Sequence, residues 1–343
     1  MFIASLCRKV PAFMAALFVL TPLFMPFNAL AEERQESFQK FLLELQAEMQ
    51  NKGIDPANFI EAVGEDFTID EKAIERMHNQ PEFKMTFAKY TGSMLSQSRI
   101  KKGRELYKLH AEDLQRISGA YGIPPEVMIS LWGIESFYGK WAGRHKIARS
   151  LATLAFDSHR KDFFKRELFA AMKILQEGHV KPQDLQGSWA GAMGQCQFMP
   201  TSFMAYAADG DADGKKDIWN NVSDVFASTA NYLKRHGWQT GQQWGQRVVL
   251  SQILPQIKLS QRGLSSRKPI SEWAAMGVVT SSEKNPLPSD KARIARLYIP
   301  DGPSGKAFLV YQNFDTVLDW NRSSYFAYSV LALADEIAKG HEG

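Results

Sequence analysis

The stretch PPEVMISLWGIESFYGKWAG, residues 124–143, decides how the chain is read. Pro124 and Pro125 suit the opening of a helix and not its interior, and the residues after them carry a helical apolar period. Counting about 100° per residue from Val127, Leu131, Ile134 and Tyr138 cluster near the origin, Met128 and Trp132 lie beyond about 100°, and Glu135 falls between them at about 80°. A lone carboxylate therefore points inward with the apolar stripe. Against aliphatic and aromatic groups its charged form loses hydration, so its pKa rises toward neutrality, as a general acid requires. The plain alternative is a Glu near a helix end that bends out to solvent or pairs with Lys140 or Arg144, and this segment alone leaves both open.

The chain around this stretch begins with an export pattern. Arg8 and Lys9 precede a mostly apolar run from Val10 to Leu30, and Ala29-Leu30-Ala31 fits a small-x-small cleavage site before Glu32. Pro11, Pro22 and Pro26 disfavour a retained membrane helix, and Cys7 lies away from the cleavage point, so a lipid-anchored cysteine is not expected. The expectation is a signal peptide over 1–31 and a soluble exported protein of 312 residues (343 less 31). Loss of Arg8 and Lys9 takes the formal net charge from +4 to +2, too mild a balance to point to nucleic acid. Cys196 is then the only cysteine, so no intrachain disulfide can form, and a small buried hydrophobe suits it better than a nucleophile.

From Glu32 to about Ala120 the pattern is helical, with Phe38, Phe41, Leu42, Leu45 and Met49 keeping a 3.6-residue period. Segments 124–139, 162–177, 200–208 and 224–236 also read as helices between Gly-rich or polar turns. From Gly245 to about Tyr311 the runs Arg247–Leu250, Arg296–Ile299 and Ala307–Val310, with Gly and Pro between, predict strands of a small β subdomain. A helical pattern returns from Val317 to Ala338. The expected class is mainly α within α+β: a helical domain 32–120, a compact core 121–244, a β subdomain 245–311, and a closing helix in 312–343 that returns to the core.

Two further motifs carry chemistry. In GSWAGAMGQCQFMPTSF, residues 187–203, Gly187, Gly191 and Gly194 allow close approach of backbone or ligand, while Ser188, Gln195 and Gln197 set neutral hydrogen-bonding groups beside Trp189 and Phe198. Neutral polar groups beside aromatic rings suit a sugar, and a tightly packed Gly-rich turn without a ligand is the alternative. In DGDADGKKDIWN, residues 209–220, Asp209, Asp211, Asp213 and Asp217 stand at loop positions 1, 3, 5 and 9, with Gly214 at 6 and Lys215 where the carbonyl ligand falls, matching an EF-hand calcium loop. Asn220 replaces the closing Glu at position 12, so Asp224 is the candidate ligand of a longer loop over 209–224. An Asp-rich solvated turn is the alternative. A single loop of this kind clamps structure more readily than it senses a signal.

The residues WGIESFYGKWAG, SWAGAMGQCQFMPTSF and DGDADGKKDIWN, followed by ASTANYLKRHGW, resemble in content and order the B-type lytic murein transglycosylases, glycoside hydrolase family 103, over nearly the whole mature chain. The resemblance implies a lysozyme-like core with an added helical domain and a small β domain, and a calcium-bound EF-hand-like loop longer than twelve residues. It implies Glu135 as catalytic acid and then base, cleaving the β-1,4 bond from N-acetylmuramic acid to N-acetylglucosamine without water to leave a 1,6-anhydro end. By position it carries Ser188, Gln197, Arg160, Lys161, Tyr232 and Asn321 into a glycan groove. Arg160 and Lys161 otherwise make a solvated charged pair, and Tyr232 ordinary packing. In NRSSYFAYSV, Phe326 stands where the family has a tyrosine, with Tyr325 one residue off in register. No second catalytic acid is evident, since Asp157 is equally explained by pairing with Arg160 or Lys161. The implied partners are peptidoglycan strands and other cell-wall enzymes, the protein a periplasmic monomer. The rivals are a lysozyme-type muramidase, a murein-binding scaffold without turnover, and a calcium sensor.

Overall fold

The computed structural model describes residues 27–64, 67–78, 85–251, 257–281, 287–302 and 305–340. The export signal expected over 1–31 lies outside the described residues as far as residue 26, and residues 27–31 begin the helix Phe27–Asn51. Among the described residues no helix is long and apolar enough to cross a membrane.

The helix Pro125–Ser136 sits at the centre. It packs against Gln97–Leu109, Ala111–Tyr121, Val222–Arg235 and Ser324–Ala338, so elements from both ends of the chain enclose it. Its residues from Val127 to Gly133 are all buried, which makes it a core helix closed on every side and not the one-striped helix expected. The helix also stops at Ser136, three residues short of expectation. Phe137 and Tyr138 both take left-handed backbone, with φ of 52° and 60°, and the Tyr138 N–H donates to the Trp132 carbonyl at 3.2 Å. Arg99 fixes that end, its Nε donating to the Gly133 carbonyl at 3.2 Å while its own carbonyl accepts the Tyr138 hydroxyl at 2.8 Å.

Helices Ile147–Phe156 and Lys161–Gln176 pair beside this centre, and Pro200–Tyr206 packs on the second of them. The first, IARSLATLAF, is buried at eight of its ten positions. Apart from Arg149, Ser150 and Thr153 the segment is apolar with no clear 3.6-residue period, so its sequence predicts no helix there.

Five described strands form an antiparallel sheet in the order Leu264–Pro269, Ile294–Tyr298, Ala307–Val310, Gly245–Leu250 and Val278–Thr280. The three strands expected from sequence are its middle three. The edge strands were missed because Leu264–Pro269 reads LSSRKP and Val278–Thr280 is only three residues long. Alternation divides the faces: Leu297 and Leu309 pack with Ile270, Trp273 and Val278 in a separate small cluster, while Tyr298, Phe308 and Val310 join the main core. The closing segment is split into Gln312–Trp320 and Ser324–Ala338 by Asn321, Arg322 and Ser323. Ser323 caps the second helix by accepting from the Phe326 N–H.

Gly187 tests this packing, because a Cβ there would lie 2.0 Å from the Ala192 carbonyl oxygen, whereas one at Gly92 would meet nothing within 4 Å. Gly187→Ala is expected to destabilise the protein by about 2–4 kcal/mol in denaturant unfolding. Gly92→Ala is expected to stabilise it by up to about 1 kcal/mol.

Candidate active site

Glu135 occupies the last turn of the central helix and is partly buried. Its Oε1 accepts a 2.6 Å hydrogen bond from the Trp320 indole N–H, supplied by the end of helix Gln312–Trp320. Burial raises the Glu135 carboxyl to about 7, and the Trp320 bond opposes part of that rise because it favours the ionised form. Among the described residues Glu135 forms no ion pair, so the pairing with Lys140 or Arg144 weighed from sequence is not made. Its charge reaches two other buried groups. The Tyr90 hydroxyl and the Cys196 thiol are both pushed up, first by burial and further by Glu135. Cys196 is therefore held as an inert thiol.

Three rings stand together next to the carboxyl. Trp320 meets Phe198 at 5.1 Å and Tyr232 at 4.8 Å, and Tyr232 stacks on His236 at 3.9 Å. The Tyr232 hydroxyl donates to the Asp319 carbonyl at 2.8 Å, which holds the backbone immediately before Trp320. Neither Trp320 nor Tyr90 was found by sequence reasoning. Each sits in an ordinary helical pattern with no local signal, and only the tertiary fold brings Trp320 across 185 positions.

The Gly-rich segment is stitched to both of the other motifs. Gln195 accepts from the Trp132 indole at 2.7 Å and donates to the Trp219 carbonyl at 2.8 Å, so one amide links the central helix to the acidic loop. Gly139, at φ 82°, is required beside it: a Cβ there would lie 2.3 Å from the Gln195 Oε1. Gln197 lies in left-handed backbone, φ 53°, and its Nε2 donates to the Ala142 and Gly194 carbonyls at 2.9 and 2.8 Å. Its Oε1 has no partner among the described residues and is free to accept. Ser188 accepts from the Ala192 N–H at 3.0 Å, leaving its hydroxyl proton to donate.

The remaining expected residues are solvent-exposed. Arg160 and Lys161 are exposed at the start of helix Lys161–Gln176, with the Arg160 guanidinium 4.0 Å from the Phe163 ring centre. Asn321 is exposed beside Trp320, its Oδ1 accepting from the Ser323 N–H at 3.0 Å. No direct contact joins Ser188, Arg160 or Lys161 to Glu135 among the described residues. Asp157 pairs with Arg34, and not with Arg160 or Lys161. Phe326 is buried in the core, while Tyr325 packs on Phe87 and Tyr90.

In the acidic loop, oxygens of Asp209, Asp211 and Asp213 come within 4.8 Å of one another. Asp217 instead accepts from the Trp219 and Asn220 N–H groups, each at 2.9 Å. Asp224 is fully buried and ties the loop ends together, accepting from the Gly210 and Asp217 N–H groups, each at 2.6 Å. Burial, with the charges of Asp211 and Asp209 added, raises the Asp224 carboxyl to about 6. The three converging carboxylates of Asp209, Asp211 and Asp213 are hard oxygen donors that fit a hard cation, and Asp224, which has no positive partner among the described residues, holds the loop ends beneath them.

A family profile described as the transglycosylase SLT domain matches residues 37–335. The membrane-bound lytic murein transglycosylase B of Escherichia coli strain K12 is 31% identical over 252 residues, 73% of this chain and 67% of that protein. Among solved structures, SltB3 from Pseudomonas aeruginosa in complex with NAG-anhNAM-pentapeptide superposes with a TM-score of 0.82 at 40% identity, over 88% of this chain and 79% of that one. The Escherichia coli lytic transglycosylase Slt35 in complex with calcium gives 0.77 at 28% identity, over 90% of this chain and 95% of that one. The lysozyme-like, mainly helical architecture with small sheets is shared with the Slt35 structures.

Carboxyl titration tests the Glu135 environment. Carbon-detected NMR is expected to place the midpoint near 7, and Trp320→Phe, which removes the one donor to the carboxylate, to move it higher. A midpoint between 4 and 5 in the parent protein would contradict the burial argument.

Proposed function

The chain belongs to the transglycosylase SLT family and is a lytic murein transglycosylase, and from that premise we propose that Glu135 serves as both acid and base in a cleavage that uses no water. Protonated, Glu135 gives its proton to the glycosidic oxygen between N-acetylmuramic acid and N-acetylglucosamine as positive charge grows at the anomeric carbon. The carboxylate left behind takes the proton of the muramoyl C6 hydroxyl, and that oxygen closes onto the anomeric carbon. One C–O bond breaks and one forms, the proton returns to Glu135, and the new end is 1,6-anhydromuramoyl. The carrying observation is a carboxyl of pKa about 7 whose described polar partner is one indole N–H. A carboxyl raised toward neutrality by burial can both give and reclaim a proton near neutral pH.

A retaining hydrolase would set a second carboxylate roughly 5 Å from the first. Asp157, the candidate considered, is engaged by Arg34. The glycan groove of this reading uses the Ser188 hydroxyl and the free Gln197 oxygen as neutral partners for sugar hydroxyl and acetamido groups. Trp320 gives it an aromatic face, backed by the buried rings of Phe198 and Tyr232, Asn321 stands at its edge, and Arg160 and Lys161 meet carboxylates of the peptide stems. The SltB3 structures solved with NAG-anhNAM-pentapeptide and NAG-NAM-pentapeptide favour the same class of ligand. The domain division at 120, 244 and 311 belongs to this reading and is supported by the separate apolar cluster of the sheet. So do export and a periplasmic location.

Calcium is the proposed ion of the acidic loop, held by Asp209, Asp211 and Asp213, with the Lys215 carbonyl, Asp217 and Asp224 completing the set of the longer loop. When bound it supplies positive charge that offsets the buried Asp224 and fixes the loop against Trp219 and the Gln195 amide. It takes no part in the proton transfers.

Glu135→Gln is expected to lower turnover of purified sacculi by at least about a hundredfold while keeping binding. Turnover by the Gln variant equal to the parent's would remove Glu135 from the chemistry, and binding without turnover by the parent would favour a non-catalytic scaffold. The acid step needs the protonated form, so kcat/KM is expected to hold below pH about 7 and fall about tenfold per pH unit above it. Millimolar calcium added to chelator-treated protein is expected to raise the unfolding temperature by about 2–4 °C, a response lost in Asp211→Asn. An unchanged midpoint would remove the ion from the account.

A further inference from the structure

A cavity of about 380 Å³ opens between the five-stranded sheet and helix Gln312–Trp320, away from the residues assigned above. Among the described residues its wall carries Arg267, Arg293 and Arg296 against one acid, Asp315. Asp315 is buried and orients two of the three: its Oδ2 accepts from Arg267 Nε and Nη2 at 3.1 and 2.7 Å, and its Oδ1 from Arg296 Nη1 at 3.1 Å. Arg296 is fixed a second time through Nε, which donates to the Ser265 carbonyl at 3.0 Å. Arg293 lies 5.3 Å from the Tyr311 ring centre and forms no ion pair among the described residues. Among the described residues one carboxylate thus engages two guanidinium groups while a third lines the same cavity, a local surplus of two positive charges. Among the described residues, N–H donors on Arg267 Nη1, on Arg296 Nη2 and on the Arg293 side chain have no partner, and Gln242 adds a neutral amide. Rigidly held guanidinium forks of this kind match a planar carboxylate.

Helix Gln312–Trp320 places the cavity in relation to the cleavage site. Asp315 and Trp320 are five residues apart, about 7.5 Å of rise on faces about 140° apart around a cylinder some 10–12 Å wide. An extended five-residue peptide reaches at most about 17 Å. We propose that this arginine pocket binds a carboxylate of the peptide stem carried by the murein strand, so that the β subdomain reads the stem while the core cleaves the glycan. The proposal rests on murein as the substrate. The pocket's chemistry also suits a free phosphate, and the test separates the two.

Cleavage rates are to be measured on glycan strands with intact stems and on strands stripped of stems by an amidase. For the parent protein kcat/KM is expected to favour intact strands several-fold, and in Arg293→Ala that ratio falls by at least half, the change falling on KM and the remainder belonging to Arg160 and Lys161. Among the described residues the Arg293 side chain meets one ring and no acid, so its loss is expected to leave the fold standing, which thermal unfolding checks. In a second arm, added synthetic stem pentapeptide inhibits cleavage of intact strands by the parent protein and does so several-fold less well in Arg293→Ala. Equal ratios in the parent and Arg293→Ala would overturn the proposal. So would inorganic phosphate inhibiting as well as the peptide, which would assign the pocket to phosphate. Failure of the parent protein to cleave either kind of strand would instead overturn the murein reading beneath it.

Discussion

The structure is organised around a carboxyl kept in a place that disfavours its charge. With its pKa raised from 4.5 to about 7, holding Glu135 ionised above neutrality costs about 3 kcal/mol of stability. The sign follows from the shift: the penalty is absent below pH about 4.5, grows as pH rises through the window to about 7, and is constant above. A fold carrying only the usual 5–15 kcal/mol of net stability keeps such a group only if the rest of the core supports it. Much of the molecule does so. The central helix is buried along its length, Arg99 fixes its end, and helix Gln312–Trp320 delivers the single donor that keeps the carboxyl from rising further.

The three motifs are one object in space. Trp132 reaches Gln195, Gln195 reaches Trp219, Gln197 reaches Ala142, and Asp224 ties both ends of the acidic loop. Trp320 is fixed in turn by the Tyr232 hydroxyl, which donates to the Asp319 carbonyl, so the hydroxyl of a residue expected in the glycan groove has its proton engaged by the backbone. Tyr232 contributes a ring and a brace. A cation in the loop would act at a distance, by stiffening the segment that carries Trp219 and hence the Gln195 amide.

What could be read from sequence was local. Glu135, the neutral amides of the Gly-rich segment and the Asp spacing are each visible within twenty residues, because each depends on short-range periodicity or loop geometry. The central helix and three of the five strands were legible for the same reason. Trp320 and Tyr90 were not, since they sit in unremarkable helical stretches and gain their role only when distant segments meet. Helix Ile147–Phe156 was hidden by the lack of a clear apolar period, and the edge strand Leu264–Pro269 by its polar residues, which face Asp315 and solvent. The positive-φ turn at Phe137 and Tyr138 broke the helical count because two aromatic residues carry no turn signal.

The central claim is that one buried acid moves a proton out and back while the substrate's own hydroxyl, and not water, closes the anomeric carbon. Digestion of purified sacculi in water enriched in oxygen-18, with the muramoyl products weighed, tests it most directly. The account predicts 1,6-anhydro ends that carry no heavy oxygen and weigh one water less than reducing ends. Reducing ends labelled with oxygen-18 would contradict it.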